Sequence, residues 1–126
     1  MATVNDLKYS ILASGSKGNS TYIETAHHRI LIDAGLSGKQ LEQRMAQIHR
    51  SMKDVEAIFV THEHSDHSHG VGVLARRYGL DIYANEGTWQ AMTNKIGKVP
   101  LEQKHIIAPG KVKDFGDLQV ESFAVS

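Results

Sequence analysis

Three histidines and one aspartate, His62, His64, Asp66 and His67, fall within six residues of this 126-residue chain. No other segment is as well equipped for chemistry. Imidazole nitrogen and carboxylate oxygen are the usual protein donors to zinc, manganese and iron. The stretch Thr61-His62-Glu63-His64-Ser65-Asp66-His67 reads as H-x-H-x-D-H, directly after an apolar run at 55–60. A loop leaving the end of a strand can turn alternate side chains toward one place, so four donors can serve two neighbouring ions. The chain is rich in histidine, with eight in all. Even so, shuffling this composition gives the pattern in only roughly 2 of 1000 cases. That frequency, and the strand in front, weigh against a merely solvated histidine-rich loop.

The surrounding elements should position the motif. Residues 9–13 read as a strand, followed by a turn at 15–20 rich in glycine, serine and asparagine. Residues 21–25 and 29–33 are β-rich and joined at His27-His28 in a hairpin turn. Ser37 with Gln40 three residues on is a capping-box pair, and Leu41, Met45 and Ile48 recur at helical spacing behind it. The run at 55–60 has strand length and the apolar character of a strand buried on both faces. Val71, Leu74 and Tyr78 mark a second helix that Gly79 should end. A short strand at 81–84 precedes a third helix over 86–96, with Asn85 as its cap and Gly97 beyond it. Trp89 and Met92 share a face there and read as core. Residues 106–125 are β-like, broken at Pro109-Gly110 and Gly116-Asp117. Strands alternating with helices, then returning strands, predict an α/β layered sandwich.

Composition narrows the field. Fourteen basic and fourteen acidic side chains balance, so no global field draws the chain to nucleic acid, and any such contact must be local. Cysteine is absent, which rules out disulfides and thiolate metal sites within these residues. The start, Met1-Ala2-Thr3-Val4-Asn5-Asp6, lacks the apolar core of a signal peptide, and no run approaches a membrane span. The expectation is a cytoplasmic protein with no membrane partner.

The motif, the strand before it, Gly70-Val71-Gly72 after it and the earlier Leu31-Ile32-Asp33-Ala34-Gly35 together resemble the metallo-β-lactamase fold superfamily. Within it, Ile11-Leu12-Ala13-Ser14-Gly15-Ser16-Lys17-Gly18-Asn19-Ser20 and the segment 30–41 look most like the YycJ/WalJ (VicX) group of bacterial hydrolases associated with DNA exonuclease activity. The resemblance implies a four-layer αββα sandwich, of which residues 1–126 are the N-terminal part of one domain. It implies two divalent ions, zinc or manganese, with His62 and His64 on one and Asp66 and His67 on the other. Between them a bridging hydroxide would attack the electrophile, with Asp66 the ligand most tied to catalysis. Asp33 would hydrogen-bond around the metal loop rather than ligate. Ser16 and Asn19 on the glycine-rich turn, and His69 just after the motif, are candidate phosphate or substrate contacts. His27, His28, His49 and His105 read as structural or surface residues.

In the family a histidine follows the segment 123–126 at once, and a later aspartate and histidine complete the two sites. The resemblance therefore implies that further ligands lie outside this chain. Three functions are open at this stage: a DNA exonuclease or phosphodiesterase, a metallohydrolase of a small cyclic phosphodiester, thioester or lactam, and a non-catalytic metal-binding or interaction fragment. An apolar sheet face left without its covering half would further lead this chain to pair with a second copy.

Overall fold

The computed structural model describes residues 1–4 and 6–122. The segment expected to form a strand at 123–126 lies outside them. Seven strands form one sheet in simple sequence order. They are β1 (Ala2–Val4), β2 (Leu7–Ala13), β3 (Ser20–Glu24), β4 (Arg29–Ile32), β5 (Ala57–Phe59), β6 (Asp81–Ala84) and β7 (Lys104–Ile106). The first four pair antiparallel through short connections, and β4 to β7 pair in parallel. Parallel neighbours need crossovers, and the helical segments supply them.

Helix α1 (Gly38–Gln47) starts as its sequence dictates: Ser37 Oγ accepts from Gln40 N at 3.2 Å, and Gln40 Oε1 accepts from Ser37 N at 3.2 Å. Leu41 and Met45 are fully buried against the sheet. The short turn α2 (Ser65–Ser68) carries half of the histidine motif and leads into α3 (Val71–Tyr78). Gly79 ends α3 in the left-handed conformation, φ 67°, where a Cβ would be strained. Helix α4 (Glu86–Ile96) is capped by Asn85 Oδ1, which accepts from Thr88 N at 2.7 Å. Its Trp89 and Met92 are buried, and the Trp89 indole donates to the His105 carbonyl at 2.8 Å.

The central parallel strands divide their side chains by alternation. Leu31, Ile58 and Ile82 lie level and join the core beneath the helices, whereas Ile30, Ala57, Phe59 and Tyr83 face the other way into a second core. The run at 55–60 is shorter as a strand than its sequence implies. Glu56 interrupts the apolar run, and a 3₁₀ turn at Met52–Asp54, capped by Ser51, takes up Val55 as its end.

The second face of the sheet is not bare. Strands β8 (Val112–Asp114) and β9 (Gln119–Glu121) form a separate hairpin, and Phe115, Leu118 and Val120 pack with Ile107 over Phe59 and Tyr83. Phe59 and Tyr83 stack at 4.6 Å, and Phe115 meets both edge-on. Helices on one face and a small second sheet on the other form an α/β layered sandwich. Ile106 and Val112 are more than half exposed. No described helix is long and apolar enough to cross a membrane.

One partly buried ion pair ties the segment after α1 to β3. Arg50 grips Glu24 with two hydrogen bonds, Nε to Oε1 at 2.6 Å and Nη2 to Oε2 at 3.0 Å, while the buried Tyr22 hydroxyl donates to Oε1 at 2.7 Å. The Arg50 hydrogen bonds, helped by Tyr22, outweigh burial and hold the Glu24 carboxyl down to about 2 from an ordinary 4.5. Because the folded value is the lower one, Glu24 stabilises the fold fully above pH 4.5. That contribution fades as pH falls toward 2, by on the order of 3 kcal/mol in total. Chemical denaturation between pH 5 and pH 2 is expected to show this loss in the native chain and a flatter profile in Glu24→Gln. Identical slopes in the two would refute the assignment.

Candidate metal centre

The motif sits where β4 and β5 end side by side. Asp33 follows β4 with φ 63°, a left-handed conformation that aspartate tolerates at some cost. That twist aims its carboxylate across to the strand feeding the motif. Oδ1 accepts from Thr61 N at 2.7 Å, and Oδ2 accepts from the Thr61 hydroxyl at 2.6 Å. His67 Nδ1 lies 2.7 Å from the same Oδ2.

These bonds settle which ring nitrogens face the site. With Nδ1–H of His67 donated to Asp33, its Nε2 is left to face Asp66 Oδ2, 3.3 Å away. The Thr61 hydroxyl, having given its proton to Asp33, accepts from His62 Nδ1 at 3.0 Å, so His62 likewise turns Nε2 outward. The His62 and His67 rings lie 4.8 Å apart, and His64 is 6.1 Å from His62. Nothing in the sequence marks Thr61 for this role. Its only signal there is a hydroxyl directly before the first histidine.

The donor set fits a divalent ion. His67 Nε2 and Asp66 Oδ2 face each other at 3.3 Å, a separation that an ion held between them would span. Two donors each about 2.1 Å from a tetrahedral zinc lie about 3.4 Å apart. The set is not closed, however. Among the described residues no three histidine, aspartate or glutamate side chains are gathered tightly enough to hold an ion. His64 explains much of this, since its side chain is 70% exposed and its nearest charged neighbour is Glu63.

Two other loops brace the motif. Asp66 O accepts from Asn19 N at 2.6 Å, and the Asn19 amide reaches Asp66 Oδ2 at 3.1 Å. The same side chain closes its own turn, accepting from Gly15 N at 3.2 Å and donating to Gly15 O at 2.9 Å. Asn19 is thus spent on joining the glycine-rich turn to the motif. Ser16 and His69 do share a cleft with Asp66, along with Lys17, Ser37 and Gln40. On the third loop, Ala34 N donates to His67 O at 2.9 Å and Gly70 N donates to Ala34 O at 2.7 Å. His27, His28, His49 and His105 lie away from this centre: His28 pairs with Glu56 at 2.6 Å and His105 with Asp81 at 3.1 Å.

Residues 13–124 match the family model of the metallo-beta-lactamase superfamily, and the chain belongs to that superfamily. Its members bind divalent metals, usually zinc. Among curated relatives, the chain is 62% identical over 121 residues to "Exodeoxyribonuclease WalJ" of Streptococcus pneumoniae serotype 2 (strain D39 / NCTC 7466), covering 94% of this chain and 45% of that protein. It is 55% identical over 120 residues to "Exodeoxyribonuclease YycJ" of Bacillus anthracis, covering 95% and 46%. The chain spans about half the length of these relatives. Among solved structures, the metallo-beta-lactamase SMB-1 bound to 2-mercaptoethanesulfonate aligns with a TM-score of 0.73 at 18% identity, over 94% of this chain and 50% of the other. At that identity the match speaks for the fold alone.

Proposed function

We propose that this chain is the N-terminal part of a single metallo-β-lactamase domain whose complete form is a cytoplasmic, metal-dependent DNA exonuclease. The observation that carries the metal chemistry is the Asp33–Thr61 pair, which engages Nδ1 of His67 and of His62 and leaves His67 Nε2 facing Asp66 Oδ2 at 3.3 Å. The names of the two curated relatives support the substrate, and a cysteine-free chain is in keeping with the cytoplasm. In this reading His62 and His64 hold one ion and Asp66 and His67 the other, zinc or manganese, with the remaining ligands supplied by the rest of the domain.

Bound there, the ions would supply a water acidified to a nucleophile at neutral pH and a clamp for phosphate oxygens. The chain's own residues do the positioning. Asp33 keeps His67 in one tautomer, Thr61 does the same for His62, and Asn19 fixes the peptide of Asp66. Ser16 and His69, on the cleft beside Asp66, are placed to hydrogen-bond a phosphate oxygen of the substrate. The relatives favour this function over hydrolysis of a lactam, thioester or cyclic diester, and over a fragment that binds without turnover.

The test compares this chain with one extended to the length of its relatives. Calorimetry with zinc and with manganese should give weak or partial binding to 126 residues and two tightly held ions in the longer protein. Labelled duplex DNA should be degraded by the longer protein only when metal is present. Two tight ions in the short chain, or metal-independent cleavage, would sink this reading.

A further inference from the structure

Beside the motif the surface continues as a groove that the metal ligands do not explain. One cleft is lined by Ser65, Asp66 and His69 from the motif, Ser37 and Gln40 at the start of α1, and Ser16 and Lys17 from the glycine-rich turn. A second is lined by residues 13–18, Leu36 and Arg44. Ser16, Lys17 and Leu36 line both, so the two clefts adjoin and lead from Asp66 past Lys17 to Arg44.

The charge along this path has one sign beyond the motif. Lys17 and Arg44 are exposed, and among the described residues neither makes an ion pair with a carboxylate. Arg44 is nonetheless held in place, because Nη1 donates to Leu12 O at 2.7 Å and leaves its other N–H groups for a ligand. Asp66 is the one acidic residue lining either cleft, and its Oδ2 accepts from the Asn19 amide and faces His67 at the candidate metal centre. A chain with no net charge thus presents a local cationic path that ends at the candidate metal centre.

The path is also held in register with that centre. Ser16 and Lys17 stand at the centre of the turn that Gly18 N closes onto Gly15 O at 3.4 Å. The Asn19 bonds then bind the turn to Asp66, and Gly35 N donates to Asn19 O at 2.9 Å. A phosphate held at Lys17 therefore sits at a fixed offset from any phosphate at the motif. A polymer of evenly spaced phosphates matches such an arrangement, whereas a small substrate has nothing to place there.

We propose that Lys17, followed by Arg44, holds the backbone phosphates that flank the scissile one on a single strand of DNA, and so sets how the strand is fed to the metal centre. This rests on the nuclease reading above and names the positioning residues for it. The experiment uses the chain extended to its relatives' length, loaded with metal, on single-stranded oligonucleotides over a range of salt. Lys17→Ala is expected to raise KM about 10-fold and to lower the slope of log KM against log salt by about 0.7, the value for one lost phosphate contact on a single strand. Lys17→Arg should restore both, and Lys53→Ala, on the 3₁₀ turn, should leave both as in the native protein. Bis(p-nitrophenyl) phosphate, a diester without flanking phosphates, reads the metal centre separately. Lys17→Ala should reduce kcat/KM for DNA far more than for this diester. An unchanged KM and salt slope, or equal losses on both substrates, would overturn the groove. Native protein that cleaves the small diester but neither single-stranded nor duplex DNA would overturn the nuclease reading instead.

Discussion

Asp66→Ala in the extended chain is expected to lower turnover at least about 100-fold while changing DNA affinity by less than about threefold. The asymmetry follows from where the carboxylate stands. Oδ2 faces His67 Nε2 at 3.3 Å, where an ion would sit, while the cationic residues that would hold a strand lie along the adjoining groove. A ligand to the ion acts on charge developing in the transition state, so its loss appears in kcat before KM. Asp66→Asn keeps the size and the hydrogen bond with Asn19, and separates loss of the ligand from loosening of the turn. Metal content measured on each variant completes the test. Turnover close to native in Asp66→Ala, at matched metal content, would remove the proposed mechanism.

Gly35→Ala is expected to have the largest effect on the fold, destabilising it by more than about 3 kcal/mol and abolishing metal binding in the extended chain. A Cβ at Gly35 would collide with the carbonyl of Asp66 and approach Asn19 N to 2.7 Å. Both neighbours are backbone atoms, which cannot swing aside as the end of a long side chain can. Relief would require parting the glycine-rich turn from the motif and breaking Asn19 N–Asp66 O and Gly35 N–Asn19 O together. Gly87→Ala, on α4, is the matched control: only Asn85 Oδ1 lies within 4 Å of the added carbon, at 3.6 Å. That change should be neutral or stabilising by up to about 1 kcal/mol. Denaturant midpoints for the two variants decide the matter, and a Gly35→Ala protein as stable as Gly87→Ala would show that the loops are not packed as described.

The sequence by itself determined what depends on near neighbours. The capping box at Ser37 and Gln40, the Asn85 cap and the Gly79 stop each involve residues within four of one another, and all three helices form where those signals put them. The same holds for the donor types of the motif, since chemistry and spacing are both local there. Tertiary structure alone decided the rest. Asp33 and Thr61 are 28 residues apart and Asn19 and Asp66 are 47 apart, so no local pattern announces that they touch. They meet because β4 and β5 run in parallel with Ile32 level with Phe59, which brings the loops leaving both strands to one end of the sheet. The covering of Phe59 and Tyr83 by the β8–β9 hairpin has the same origin. An alternating strand shows which side chains share a face, but not what will pack against them. His64 marks the boundary: its place in the motif is legible in the sequence, while its outward orientation depends on side-chain surroundings that only the folded chain supplies.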